Sequence, residues 1–249
     1  MHSIFITATD TDAGKTYIST LLLRGFADLK IPAIGLKPIA AGVDSDGKNG
    51  DAKTLLQLSG IPLSYHEVNP VLFKAPVAPH LAAKTGDTAI DLSMLDTQLE
   101  KTAGLAAGVR LIEGAGGWLL PLDNNTYLAD WVLQHQLPVL LVVGMKLGRL
   151  NHAMLTAREL QRSGAKVLGW VANCVDPEML LLQENIADLQ QRLPWPCLGV
   201  VPYQQASCQR VPEEQLQTAA KLQTDAPVQI AAPLQIATQL AQALFFKLN

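Results

Sequence analysis

Apolar residues follow two patterns that alternate along the chain. Short apolar runs predict six β-strands, at 3–8, 33–38, 108–113, 138–144, 166–173 and 197–201. The run Val139–Val143 is apolar at every position, which is typical of a parallel strand that is buried on both faces. Because helix-length runs separate the strands, the pattern predicts an α/β protein with a mostly parallel central sheet and helices on both faces.

The helix-length runs carry apolar residues at three- and four-residue spacing. The first follows strand 3–8, with apolar positions at Ile18, Leu21, Leu22, Phe26 and Leu29. Further helices are predicted at 91–103, from an N-cap at Asn151 to Gly164, near 178–191 and at 232–247, with a shorter one at 52–58. Since no repeat or long linker interrupts this order, we expect one domain over residues 1–249.

The first strand runs directly into the sequence TDTDAGKT, which covers Thr9 to Thr16. A strand followed by a loop that ends Gly-Lys-Thr and opens a helix is typical of a phosphate-binding loop. Backbone N–H groups, a lysine and a Mg²⁺-binding hydroxyl hold the phosphates in such loops. The first glycine of the usual pattern is replaced by Thr9, with Ala8 before it, so the loop must tolerate a Cβ atom there. The sequence predicts that the chain binds a nucleoside triphosphate.

Unusual residues follow the carboxyl ends of the predicted strands, where open parallel sheets bind their ligands. They are Lys37-Pro38, Glu113 to Gly117, Gly144 to Asn151, Asn173 and Pro202. Glu113 closes an apolar strand, a position typical of an acid that holds Mg²⁺. Asp51 is a second candidate ligand, the N-cap of its helix, or both. Lys37 is either a solvated lysine or a functional one, and 144–151 is either a plain loop or a carboxylate site at a helix start.

Composition excludes several classes of protein. The 249 residues carry a formal net charge of -3 and no block of Lys or Arg, so a nucleic-acid partner is not expected. The longest apolar stretch, Leu137 to Met145, is too short to span a bilayer, so no membrane partner is expected. Three cysteines without a C-x-x-C pair fit a reducing compartment, and we expect a cytoplasmic protein.

Five segments, in order, resemble one enzyme family. They are TDTDAGKT, KPIAAG at 37–42, EGAGGW at 113–118, VGMKLGRLNHAMLTA at 143–157 and WVANCV at 170–175. Together they closely resemble dethiobiotin synthetase, a ligase of the biotin pathway, over roughly residues 3–204. The resemblance implies a P-loop NTPase-like fold, a homodimer, and ATP- and Mg²⁺-dependent closure of a cyclic urea on 7,8-diaminononanoate with CO₂. The reaction would pass through a carbamate and a carbamic-phosphoric anhydride.

The resemblance also implies roles for individual residues. Lys37 and Lys15 would be catalytic, and Mg²⁺ would be held by Thr16, Asp51 and Glu113. The nucleotide would be bound by Asp12, Ala13, Gly14, Lys15, Thr16, Tyr17, Asp51, Glu113, Gly114, Ala115, Gly116, Asn173, Cys174, Pro202, Tyr203 and Gln204. The diamine would be bound by Thr11, Lys37 and Ala41. Its carboxylate would be held by the partner subunit, through the segment Lys146, Leu147, Gly148, Arg149, Leu150 and Asn151.

Three positions depart from the family pattern, and other classes of protein remain as alternatives. Ala8 occupies a position where the family commonly has glycine, and Cys174 one where an acid is familiar. Ala41 replaces a serine, which removes a hydrogen bond worth on the order of 1 kcal/mol.

A ParA/MinD-like switch ATPase is the main alternative, but its K-G-G-x-G-K-[ST] loop would need a lysine at Asp10 and glycines at Thr11-Asp12. A cobyrinate-amidase-like ligase and a nucleotide-binding module without catalysis are the others.

Overall fold

Strands and helices alternate in the computed structural model, which describes residues 1–85, 90–204 and 233–248. The strands are β1 His2–Ala8, β2 Ala33–Leu36, β3 Ile39–Ala41, β4 Val71–Phe73, β5 Val109–Glu113, β6 Val139–Met145, β7 Val167–Cys174 and β8 Cys197–Val201. The helices are α1 Lys15–Asp28, α2 Gly50–Leu58, α3 Tyr65–Val68, α4 Pro79–Thr85, α5 Leu92–Ala103, α6 Leu128–Gln134, α7 Arg149–Arg162, α8 Leu182–Arg192 and α9 Pro233–Leu248.

Six strands form one sheet in the order β2-β5-β1-β6-β7-β8, and every neighbouring pair is parallel. All six predicted strands are therefore confirmed. The second one is shorter than predicted, because β2 ends at Leu36 and leaves Lys37 and Pro38 outside the sheet. The N–H of Lys37 donates to Val68 O at 2.8 Å, and Pro38 has no N–H to donate to a neighbouring strand.

Successive residues of the central strands face opposite sides of the sheet. Ile4 and Ile6 pack with Ile18 and other α1 residues in one apolar cluster. Phe5, between them, packs in a second cluster with residues of α5 and α7 such as Leu95 and Leu160. Since both faces are covered by helices, the predicted α/β architecture with helices on both faces is confirmed.

A second, two-stranded parallel sheet was not predicted. It pairs Ile39 of β3 with Val71 of β4, and each strand has only three residues, too few for a pattern to show. Asn69 fixes the turn between the two sheets, since its Nδ2 donates to Lys37 O at 2.7 Å and to Val71 O at 3.1 Å. The small sheet therefore sets where the chain at Lys37 leaves the main sheet.

Two predicted helix caps are wrong. The side chain of Asn49 caps α2, accepting a hydrogen bond from Ala52 N at 3.2 Å, so Asp51 lies inside the first turn. Helix α7 begins after Gly148, whose φ of 86° is easily adopted only by glycine, so Asn151 lies within the helix. In both places the chain enters the helix two or three residues earlier than the apolar period indicates.

The C-terminal helix α9 packs on α1. The sequence predicts this helix at 232–247 but indicates no function for the C-terminal 45 residues. Residues 205–232, which include Cys208, lie outside the part of the chain that the structure describes. The buried residues of α9 are Ile236, Ala237, Leu240, Ala241 and Leu244. A Cβ atom on Gly25 of α1 would lie only 2.1 Å from Ala237 O, so the glycine permits this close approach. In the described ranges, no helix has the length and apolar character needed to cross a membrane.

Candidate functional site

The loop between β1 and α1 is held from the ends of two other strands, β5 next to β1 and β7 two strands away on the other side. Asn173, at the end of β7, donates from Nδ2 to Ala13 O at 2.9 Å. Lys15 donates from Nζ to Gly116 O at 2.6 Å, in the segment after β5. Because these contacts come from different elements, the shape of the loop depends on the whole carboxyl edge of the sheet.

Two small residues make the loop conformation possible. Gly14 has a φ of 85°, and a Cβ atom there would lie 2.1 Å from Asn173 Nδ2. Ala8, the departure from the family pattern, is completely buried in the α1-side apolar cluster. Its methyl group is therefore accommodated by the core. The sequence-based concern that a Cβ atom at Ala8 would crowd the loop is answered by this packing.

A buried network lies beside the loop and centres on Glu113. Its Oε1 accepts from Lys37 Nζ at 2.6 Å and from Thr16 Oγ1 at 2.7 Å. Its Oε2 accepts from Ser19 Oγ at 2.8 Å. Asp51 Oδ2 lies 3.3 Å from Lys37 Nζ and completes the group. The side chains of Lys37 and Glu113 are 6% and 1% exposed, so the interpretation of Lys37 as a simply solvated residue is wrong.

The two lysines have opposite electrostatic environments. For Lys37, burial alone lowers the pKa, but the negative charges of Glu113 and Asp51 outweigh it, so the pKa is raised. For Lys15, burial and then the positive charge of Lys37 lower the pKa from 10.5 to about 8, against the opposing effect of Glu113. Lys37 is a firmly held cation, whereas Lys15 is a cation whose charge lacks a fully compensating partner.

Two polar residues in the site were missed by sequence reasoning. Ser19 lies on the buried face of α1 and bonds Glu113; a polar residue among the apolar positions of that helix was the available signal. Asp10 was considered only as a departure from switch-ATPase loops. Its Oδ2 accepts from Arg149 Nη1 and lies 3.2 Å from His152 Nδ1, which joins the loop to α7.

The other predicted site residues lie along the same carboxyl edge of the sheet, in or next to the segments that follow the strands. Gly114 O accepts from Lys37 Nζ at 3.2 Å. Cys174 ends β7, and burial raises the pKa of its thiol to about 11, so it carries no charge where the family has an acid. The remaining ones are placed by the elements next to them: Thr11, Asp12 and Tyr17 in or after the loop, Ala41 at the end of β3, Ala115 after β5, Lys146, Leu147 and Leu150 around the start of α7, and Pro202, Tyr203 and Gln204 after β8.

The oxygen atoms of the network suit a hard divalent cation. Thr16, Asp51 and Glu113 offer one hydroxyl and two carboxylates, and Mg²⁺ prefers such ligands. Within the described ranges, no group of three or more His, Cys, Asp or Glu side chains could hold a metal by itself. A cation at this point would therefore take its remaining ligands from phosphate oxygens and water, as Mg²⁺ does in nucleotide sites.

A parallel sheet with a phosphate loop between its first strand and first helix defines the class of P-loop nucleotide-binding proteins. The comparisons with known proteins agree. A family described as "AAA domain" matches residues 2–210. The MinC:MinD cell division protein complex of Aquifex aeolicus has a similar structure, with a TM-score of 0.58 and 13% identity over 99% of this chain and 96% of that chain. At this identity the likeness shows the fold alone.

Sequence relatives narrow the class to one family. An ATP-dependent dethiobiotin synthetase of Pseudoalteromonas translucida is 45% identical over 82% of this chain and 91% of its own length. A second, of Cellvibrio japonicus, is 44% identical over 80% of this chain and 89% of its own length. The chain belongs to the ATP-dependent dethiobiotin synthetase family. The switch-ATPase alternative is not favoured over this assignment.

Proposed function

We propose that this chain carries out the ATP-dependent carboxylation and ring closure of 7,8-diaminononanoate to dethiobiotin. The observation that carries the proposal is the pairing of Lys37 with Glu113 beside Lys15, since it brings two lysines to the phosphate loop of a chain in this family. Its substrates are small molecules, and its nucleotide is ATP.

The chain's main task in this reaction is electrostatic. One amine adds CO₂ to give a carbamate, whose oxygen takes the γ-phosphoryl group, and the second amine then attacks the carbamate carbon and expels phosphate. Negative charge gathers on carbamate and phosphoryl oxygens, and Lys15 and Lys37 neutralise it. The same cations favour the neutral form of the two amines, which must be unprotonated to react.

The magnesium ligands proposed from the sequence are Thr16, Asp51 and Glu113. Two of these side chains already contact one cation, since Lys37 Nζ lies within 3.3 Å of the Asp51 and Glu113 carboxylates. Mg²⁺ held beside this ammonium by the same side chains would neutralise phosphate charge. The ligand set is small, which fits an ion that keeps several water and phosphate ligands.

The nucleotide and the diamine are assigned to different parts of the sheet edge. The loop from Asp12 to Tyr17 takes the phosphates, through backbone N–H groups and Lys15, and the segment Gly114 to Gly116 lies along the nucleotide. Asn173, Cys174 and the segment Pro202 to Gln204 take the base. Thr11, Lys37 and Ala41 contact the reacting end of the diamine.

We also propose a homodimer in which residues 146–151 of one subunit hold the carboxylate of the diamine bound to the other. Support comes from exposed leucines near this segment: Leu147 is 88% exposed, Leu155 58%, Leu180 86% and Leu181 67%. Exposed apolar side chains on α7 and at the starts of α7 and α8 favour an interface. The chain is proposed to form one domain, and its free Cys174 and Cys197 favour the cytoplasm, where thiols stay reduced.

One assay tests the activity. The chain is incubated with Mg-ATP, bicarbonate and 7,8-diaminononanoate, and phosphate release and product mass are followed together. We expect phosphate and dethiobiotin to form in equal amounts, and neither to form without the diamine. Diamine-independent hydrolysis, or hydrolysis that a protein or DNA partner stimulates, would contradict the proposal and favour a switch ATPase.

A further inference from the structure

One carboxylate joins the phosphate loop to the first turn of α7. Asp10 Oδ1 accepts from Thr11 N at 2.8 Å, inside the loop. Asp10 Oδ2 accepts from Arg149 Nη1 and lies 3.2 Å from His152 Nδ1. Arg149 is the first residue of α7, and its side chain is only 16% exposed. The loop backbone and the helix start are therefore held by the two oxygens of the same side chain.

This contact adds a third tether to the two that come from β5 and β7. It differs from them because it reaches a segment with a ligand role of its own in the proposed function. The loop takes the triphosphate, whereas the α7 start, 146–151, takes the carboxylate of the diamine. The ion pair between Asp10 and Arg149 thus connects the two ligand sites directly, through two side chains.

We propose that Asp10 is a positioning residue that acts through Arg149 and couples the binding of ATP to the binding of the diamine. The inference rests on the proposed function. Each ligand orders one end of the Asp10–Arg149 pair. The second ligand to bind therefore has a smaller entropic cost of ordering the protein, and each ligand should tighten the binding of the other. Because the α7 start serves the partner's diamine, the link joins the two active sites of the dimer.

The link has little to contribute to folding. The Asp10 side chain is 40% exposed, so solvent screens its pairs with Arg149 and His152, and ion pairs that water reaches contribute about 1 kcal/mol or less. Removing the carboxylate of Asp10 should therefore leave the fold intact while changing how the two ligands affect each other. A purely structural role would not change that mutual effect.

The test compares the affinity for a non-hydrolysable ATP analogue with Mg²⁺, by calorimetry, with and without saturating 7,8-diaminononanoate. In the unaltered protein we expect the diamine to tighten analogue binding by about fivefold or more. In Asp10→Ala the factor should fall to about one. Arg149→Lys keeps a positive charge at the helix start and should keep most of the coupling.

Arg162→Met is the matched control. Arg162 lies on the same helix and pairs with Glu159 at 2.6 Å on the surface, so its loss removes an α7 ion pair far along the helix from the loop. This variant should keep the full coupling factor. If Asp10→Ala loses secondary structure, Asp10→Asn replaces it, since the amide oxygen can still accept from Thr11 N without the charge.

Two outcomes overturn the inference: no tightening in the unaltered protein, or full tightening retained in the Asp10 variant. Product formation by the unaltered protein separates this failure from that of the proposed function. If the unaltered protein forms dethiobiotin but the Asp10 variant keeps the full coupling, only the positioning role of Asp10 is contradicted. Absence of dethiobiotin contradicts the proposed function, and the inference falls with it.

Discussion

Lys37 Nζ lies 2.6 Å from Glu113 Oε1, and both side chains are almost completely buried. The pair connects the end of β5 to the segment between β2 and β3, far apart in the sequence. Removing one partner of a buried ion pair leaves an uncompensated charge, which typically costs about 3–5 kcal/mol. The pair is therefore expected to matter for both stability and chemistry, and the two effects must be measured separately.

Replacing Lys37 should affect turnover more than nucleotide binding. We expect Lys37→Ala to lower kcat by several tens-fold or more, because it removes a cation next to the phosphoryl group. ATP should still bind, since Lys15 and the loop remain. Steady-state kinetics and ATP titration check this, with Lys53→Ala as a control, because Lys53 pairs with Asp44 at the surface. Near-normal turnover would refute the role of Lys37.

The buried Lys15 should give the ligand-free protein a distinctive pH dependence. Its pKa is about 8 in the folded chain, whereas an unperturbed lysine has a pKa of 10.5. Between these values the unfolded chain binds one more proton, so the free energy of unfolding should rise with pH. Relative to Lys15→Met, the rise should be on the order of 3 kcal/mol between about pH 8 and pH 10.5. Denaturant unfolding of both proteins across this range measures it, and parallel curves would rule out the shift.

Glycine is required at position 14 for a steric reason as well as a conformational one. We expect Gly14→Ala to abolish ATP binding, since the Cβ atom would lie 2.1 Å from Asn173 Nδ2. Gly47→Ala is the matched control, because Gly47 also has a positive φ, 73°, but no atom within 4 Å of the added Cβ atom. Calorimetry and thermal unfolding compare the two variants. Adding Asn173→Gly to Gly14→Ala should recover part of the lost stability, and equal losses in the two single variants would exclude the clash.

The packing of α9 on α1 should reverse the usual stabilising effect of replacing a helical glycine with alanine. Gly→Ala inside an exposed helix stabilises by about 1 kcal/mol. At Gly25 the added Cβ atom would lie 2.1 Å from Ala237 O, so Gly25→Ala should instead destabilise, by about 2 kcal/mol. Gly50→Ala, whose nearest new contact is 3.5 Å away, should be neutral or stabilising. Denaturant unfolding decides the sign, and a stabilising Gly25→Ala would mean that α9 does not dock there.

Much of the frame could be predicted from local pattern. The six strands and the loop before α1 follow from apolar runs and from Gly14-Lys15-Thr16, because burial on both faces and phosphate binding impose strong local requirements. Short elements could not be predicted: β3 and β4 are stabilised by contacts with the rest of the fold, and three residues carry no period. The caps at Asn49 and Gly148 were missed because they depend on local hydrogen bonds and backbone angles.

The phosphate loop, the strand ends and the family resemblance are properties of the sequence itself, since each depends on residues that are close together along the chain. The tertiary structure decided which of the candidate residues meet. It buried Lys37 against Glu113, added Ser19 to that pair, and placed Asp10 on Arg149, across separations of up to 139 residues. Such contacts depend on how parallel strands are ordered in the sheet, and strand order is set by packing of the whole chain, which no local pattern records.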